Sequence, residues 1–168
     1  MKTAPPVLLP VVTRLGKFVA HYTEMGLAGL DFPQGTKVVP PKTATVSATV
    51  RRWHAQTTRA VSSILAGRTP ERLPPLDLSQ GTAFQKRVWE ELLWTPCSET
   101  RSYGEIARAI GQPRSGRAVG GACGANPIPL LIPCHRVLAA NRKIGGFSGG
   151  LAWKRKLLAI ENIQPSGT

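Results

Sequence analysis

Between residues 11 and 32 (VVTRLGKFVAHYTEMGLAGLDF) short β-favouring runs alternate with glycine and polar turn residues, the pattern of strands joined in hairpins rather than of a helix. A small antiparallel sheet is predicted there. Residues 33–42 are proline-rich and read as a connector. Residues 45–66, which end at Gly67, set Trp53, Val61, Ile64 and Leu65 at positions compatible with one helical face. Three prolines in RTPERLPPL, at 70, 74 and 75, then interrupt the pattern and mark a boundary between an N-terminal β-rich part, 1–75, and a C-terminal part, 76–168.

Beyond that boundary the periodicity is helical. Thr82 and Gln85 form a T-x-x-Q capping box, followed by Phe84, Val88 and Leu92 at i, i+4 and i+8, with Trp89 and Leu93 beside them; this helix ends before Pro96. Ser102 and Glu105 make a second capping box, opening a helix over Tyr103–Ile110 that stops at Gly111-Gln112-Pro113. A further helix is predicted over Ser115–Cys123. Two short helices around a glycine-containing turn, with Arg117 in the first turn of the second, form a helix-turn-helix pattern. An apolar run, Ile128–Ile132, leads into Pro133-Cys134-His135-Arg136-Val137. The loop GGFSGG at 145–150 precedes a last basic helix, Leu151–Asn162. The fold class is α+β.

Charge adds a partner to this picture. The 168 residues hold 22 Lys+Arg against 9 Asp+Glu, a net charge of +13, which favours a polyanion through counterion release. The excess is concentrated late: residues 1–100 carry +5 and the shorter stretch 101–168 carries +8. Cys97, Cys123 and Cys134 are odd in number and lack paired spacing, which argues against a disulfide framework or a structural zinc site. Pro5, Pro6 and Pro10 interrupt any signal-peptide core, and no apolar run is long enough to cross a bilayer. The expected setting is therefore cytoplasmic, where a thiol stays reduced, with no membrane partner.

The cysteine beside a histidine at 134–135 invites chemistry. A free thiol near pKa ~8.5 is only slightly ionised at neutral pH and needs a base. Neighbouring side chains usually diverge along the chain, so His135 need not touch Cys134 directly and a water can connect them, and the acid that orients it comes from elsewhere. Only Glu105 and Glu161 lie beyond residue 100. Glu105 caps a helix, which leaves Glu161. On residue types alone, Cys134 is either an activated nucleophile or a small buried hydrophobe, and Glu161 either its remote partner or a solvated helix charge.

The stretch RAVGGACGANPIPLLIPCHRV (117–137), with SYGEIA (102–107) before it and GGFSGGLAWKRKLLAIE (145–161) after it, resembles the O6-alkylguanine-DNA alkyltransferases, also called methylated-DNA–protein-cysteine methyltransferases. The resemblance is strong over residues 76–162; the N-terminal part resembles that family's variable β-rich domain only in general pattern. It implies a ribonuclease-H-like N-terminal sheet domain and a helical, winged-helix-like C-terminal domain. It also implies irreversible transfer of an alkyl group from O6-alkylguanine in DNA to the protein's own cysteine, with neither cofactor nor metal. O4-alkylthymine is a second candidate substrate.

Carried over by position, the resemblance makes Cys134 the acceptor, His135 the base that takes its proton through a water, and Glu161 the carboxylate that stabilises the imidazolium. Asn126 organises the nearby turn, and Tyr103 donates to the leaving guanine. A base inside a duplex hides its O6 and is rotated out, and Arg117 fills the gap from the minor-groove side. Ser115, Gly116 and Ala118 are small enough to let that helix approach a narrow groove; Gly121 and Ala122 serve equally for close helix packing. Backbone groups near Cys134, Val137 and Ser148 read the guanine edge, and Arg136, Phe147 and Gly149 belong to the same substrate-binding set. Phe147 stands where the family commonly has tyrosine, so a hydroxyl contact is absent. Arg114, Arg142, Lys143, Lys154, Arg155 and Lys156 are candidate phosphate contacts. The partner is double-stranded DNA bound by a monomer, with cooperative binding left open.

A thioether on Cys134 has no hydrolysable link, so one molecule performs one transfer and the alkylated protein is expected to be less stable. Two rivals remain at this level: a lesion-binding protein that flags damage without repairing it, which carries another residue at the cysteine position, and a cysteine hydrolase that turns over repeatedly.

Overall fold

The computed structural model describes residues 4–33 and 45–167. Strands β1 (Val7–Thr13), β2 (Gly16–Tyr22) and β3 (Leu27–Asp31) form an antiparallel sheet in the order β1-β2-β3. The first hairpin turns through Arg14-Leu15, with Thr13 paired to Gly16. β1 begins before the stretch whose alternation predicts strands, and it contains Pro10. Proline is tolerated because β1 is an edge strand; the Pro10 carbonyl accepts a hydrogen bond from His54 Nε2 at 3.1 Å instead of from a strand. The predicted connector at 33–42 lies, beyond Pro33, outside the described residues.

Helix α1 (Ala48–Leu65) starts where Ser47 Oγ accepts from the Val50 amide. It ends at Gly67, whose φ of +71° lets the Gly67 and Arg68 amides close back onto Ile64 and Ser63. Val61, Ile64 and Leu65 are buried as the periodicity predicts, and α1 packs on β1 and β2. The proline-rich boundary is not a loose linker. The Leu27 amide donates to the Pro75 carbonyl and the Asp77 amide to the Leu27 carbonyl, both at 2.8 Å, so residues 75–77 are stitched along β3. Gly26 permits this: a Cβ there would lie 2.3 Å from the Pro75 oxygen. One continuous apolar core runs from the sheet into the helical part.

Helix α2 (Ala83–Leu92) opens with the Thr82–Gln85 capping box, both reciprocal bonds being present. Helix α3 (Tyr103–Ala109) does the same with Ser102 and Glu105. α3 stops at Gly111 (φ +73°), and α4 (Gly116–Gly124) packs on both α2 and α3, with Trp89 Nε1 donating to the Ala122 carbonyl at 2.8 Å. The α3-turn-α4 corner is thus present. A short parallel pair absent from the sequence reading joins β4 (Arg101–Ser102) to β5 (Val137–Leu138), which ties the start of α3 to the end of the Cys134 motif. The last helix, α5, runs Leu151–Ile160. Among the described residues no helix is long and apolar enough to cross a membrane.

Between α2 and β4, Ser98 sits at φ +67°, a conformation that costs a residue with a Cβ and suits glycine. Ser98→Gly is expected to raise the unfolding free energy by about 1 kcal/mol, seen as a higher urea midpoint at unchanged slope. A midpoint at or below that of the wild type would contradict the strain.

Candidate active site

The motif 133–137 is shaped by a side chain upstream of it. The apolar run 128–132 is a buried turn rather than a strand, with Leu130 at φ +82° and the Ile132 amide donating to the Ile128 carbonyl. Asn126 supplies what the backbone of that turn lacks. Its Oδ1 accepts from the Ile128 amide at 3.0 Å, and its Nδ2 donates to the Ile132 carbonyl at 2.9 Å and to Cys134 Sγ at 3.1 Å. A single 3-10 turn over Cys134–Arg136 then sends consecutive side chains to different partners. Cys134 lines a cavity, while His135 is fully buried.

His135 Nε2 donates to Glu161 Oε1 at 3.0 Å. With the proton on Nε2, Nδ1 is the basic nitrogen, and it is buried without a hydrogen-bond partner among the described residues. Glu161 is only 2% exposed. Besides His135 it takes a paired contact from Arg136, through Nε to Oε2 at 2.9 Å and Nη2 to Oε1 at 2.8 Å, and the Ser98 amide donates to Oε2 at 3.2 Å. The carboxylate is held in register by the end of α5. Glu161 is the C-cap, Asn162 follows at φ +59°, and the Ile163 and Asn162 amides return to Leu158 and Ala159.

Burial opposes the charge on Glu161, but the hydrogen bonds from His135 and Arg136, with the Arg136 charge, outweigh it and hold the carboxyl at about 2. Burial pushes His135 below its ordinary value against the pull of Glu161, so the imidazole rests neutral and able to accept a proton. Burial pushes the Cys134 thiol up to about 11; the Asn126 bond and the Lys154 charge act the other way. At neutral pH the thiol therefore stays protonated unless a base within the site takes its proton.

The cavity is small, about 200 Å³, and Cys134 shares its lining with Cys123, Gly120, Gly146, Phe147 and Ser148. Tyr103 stands beside it, between α4 and the 145–150 loop: a Cβ on Gly145 would lie 2.9 Å from its hydroxyl and one on Gly120 3.9 Å from its ring. Burial raises its phenol, as does the proximity of Cys123 and Cys134, with the Gly146 amide opposing, so it remains protonated. Phe147 packs edge-on to His135, with centroids 6.4 Å apart. A Cβ on Gly149 would meet the rings of Phe147 and Phe32.

On α4, Arg117 and Ala118 are exposed, and Ser115 and Gly116 half-buried. Gly121 is exposed with open space around it, so of the two residues suited to close packing only Ala122 faces inward. Arg114, Arg142, Lys143, Arg155 and Lys156 are exposed. Two assignments need correction. Arg136 does not face a ligand: it is 6% exposed, bound to Glu161, and donates through Nη1 to the Thr95 carbonyl at 2.7 Å. Lys154 is no phosphate contact either. It is fully buried, and its Nζ donates to the Val137 carbonyl at 2.7 Å and the Gly146 carbonyl at 3.0 Å, joining the motif to the loop. Burial lowers its ammonium to about 8, with Cys134 and Cys123 as the groups that favour its charge. The signal was in the sequence: 154, 157, 158 and 161 share one helical face.

Because the folded pKa of Glu161 lies near 2 against an ordinary 4.5, its contribution is complete above about pH 4.5 and is lost as pH falls toward 2. Glu161→Gln should flatten the stability profile in that window and cost about 3–5 kcal/mol at neutral pH, because Arg136 stays buried without its anion. An unchanged acid limb in urea titrations would refute the pairing. Gly145→Ala, at φ +66°, should displace the Tyr103 hydroxyl and lower the melting temperature; an unaltered melt would refute the close approach.

Residues 83–163 match the family described as 6-O-methylguanine DNA methyltransferase, DNA binding domain. A Mycobacterium tuberculosis protein named methylated-DNA–protein-cysteine methyltransferase is 52% identical over 101 residues, which are 60% of this chain and 61% of that relative, so under two thirds of its length is spanned. A protein of the same name from Methanosarcina acetivorans is 37% identical over 150 residues, 88% of this chain and 92% of the relative. The crystal structure of M. tuberculosis O6-methylguanine methyltransferase superposes with a TM-score of 0.74 at 34% identity, covering 96% of each chain. That of M. tuberculosis OGT in complex with DNA gives 0.72 at 36% identity over 92% of each. With identity sustained along nearly the whole Methanosarcina relative, and with cysteine, histidine, asparagine and glutamate gathered in one buried site, this chain belongs to the methylated-DNA–protein-cysteine methyltransferase family.

Proposed function

We propose that this protein repairs alkylated DNA by transferring the alkyl group from O6 of guanine to Cys134 in a single, irreversible turnover. The observation that carries the reading is the juxtaposition of a thiol lining a cavity with a neutral, fully buried imidazole whose tautomer is set by Glu161. In the proposed step the Cys134 proton passes to His135 Nδ1 through a water, and Sγ attacks the alkyl carbon. The C–O6 bond breaks, and its electron pair leaves with guanine. Tyr103, protonated at neutral pH, donates to the departing base, and Glu161 stabilises the imidazolium. Asn126 holds the sulfur on line. Backbone groups near Val137 and Ser148 read the base edge, and Phe147 packs against it.

The damaged base reaches this pocket only when rotated out of the duplex. Arg117, exposed early in α4, takes its place in the stack from the minor groove, and Ser115, Gly116 and Ala118 let the helix approach closely. We read residues 1–75 as a ribonuclease-H-like domain and 76–168 as a winged-helix-like domain. The exposed turn at 140–143, pinned by the Ser166 amide on the Arg142 carbonyl at 2.8 Å, serves as the wing and brings Arg142 and Lys143 to phosphates. The protein acts as a monomer in the cytoplasm.

Intact-mass measurement after incubation with a duplex carrying one O6-methylguanine tests the reading. One methyl adduct per molecule, mapped to Cys134 and absent in Cys134→Ser, is expected. An unmodified mass with tight binding, or repeated turnover, overturns it. Tyr103→Phe should slow transfer about 10²-fold with DNA affinity nearly unchanged, whereas Arg117→Ala should weaken transfer from duplex DNA and leave Cys134 reactive to iodoacetamide. The methylated protein should melt at a lower temperature than the free protein.

A further inference from the structure

We propose that the N-terminal sheet acts in the transfer itself, with β3 bracing both walls of the cavity and Phe32 the positioning residue for its 145–150 loop. This inference rests on the function proposed above. Phe32 directly follows β3 and is 6% exposed. Its ring centroid lies 5.1 Å from those of Phe18 and Trp153, anchoring it between sheet and last helix, and 5.7 Å from that of Phe147, met edge-on at 85°. Phe147 in turn abuts His135. The loop backbone also presses on Phe32, since a Cβ at Gly149 would lie 3.2 Å from the Phe32 ring and 2.7 Å from that of Phe147.

The loop needs such a brace. Glycines in left-handed conformations stand at both its ends, Gly145 at φ +66° and Gly150 at +90°. Among the described residues its hydrogen bonds include the Gly150 amide to the Phe147 carbonyl, the Lys154 contacts to Gly146 and Gly150, and the Gly146 amide to the Tyr103 phenol. None of these holds the Phe147 ring, which packs instead against Phe32. Two residues before Phe32, the Leu30 amide donates to the Pro127 carbonyl at 3.0 Å, next to the Asn126 that holds the sulfur. One strand thus fixes both the turn that orients the acceptor and the loop that lines the pocket against it. Attack on an alkyl carbon is sensitive to sub-ångström alignment, so a loosened loop slows transfer more than it weakens binding to DNA.

Phe32→Ala and the milder Phe32→Leu are to be compared with wild type on the O6-methylguanine duplex. Expected are a fall of about 10²-fold in the saturating single-turnover rate for Phe32→Ala, a smaller fall for Phe32→Leu, and DNA affinity within about threefold of wild type. The iodoacetamide rate at Cys134 should be unchanged. Amide exchange in Phe32→Leu should rise in residues 145–150 while α2 stays protected. Folded Phe32→Leu with wild-type exchange in the loop, or either folded variant with a wild-type saturating rate, overturns the inference. An unfolded Phe32→Ala leaves the decision to Phe32→Leu. Failure of the wild type itself to transfer would instead refute the proposed function, and the exchange measurement would still test the brace.

Discussion

A carboxylate at the C-terminal end of a helix faces the negative pole of the helix dipole and, when buried, gives up its hydration as well. Glu161 does both, and it stays ionised only because Arg136, His135 and the Ser98 amide surround it. Those contacts in turn set the rest of the site. The bond to Nε2 determines which nitrogen of His135 is basic, and the bond to Arg136 carries the 3-10 turn into the core so that Cys134 is left at the cavity. The carboxylate also joins three distant parts of the chain: the loop after α2, the Cys134 motif and the end of α5.

Polar groups hold the site where an apolar core could not. Asn126 replaces missing backbone partners and points its amide at the sulfur; Lys154 spans from the motif to the cavity loop. Each is buried, so each is costly unless fully bonded, and loss of any one leaves others unpaired. The result is rigidity near the thiol, while the loop opposite, closed by glycines, relies on aromatic packing from β3.

Much of this was legible from residue order. The capping boxes at Thr82 and Ser102, the stop at Gly67 and the helix-turn-helix corner follow from local hydrogen-bonding and φ preferences that act within a few residues. The stitched boundary at Pro75 and the β4–β5 pair did not show, because their partners lie far along the chain. Arg136 and Lys154 were misjudged for a related reason. A basic residue reads as exposed by default, and only its surroundings show that the charge is satisfied indoors.

What the sequence alone determined is the set of chemical groups and the local elements carrying them: a thiol beside an imidazole, one acid left over on the last helix, and a small-residue helix bearing an arginine. Tertiary structure decided which groups meet. His135 turns from the thiol toward an acid 26 positions away, Arg136 claims the same acid, and Phe32, just after a strand of the N-terminal sheet, packs against a residue of the cavity loop. Burial energies depend on all neighbours at once, whereas caps and turns depend on the next few residues, and that difference in range separates what could be read from what had to be seen.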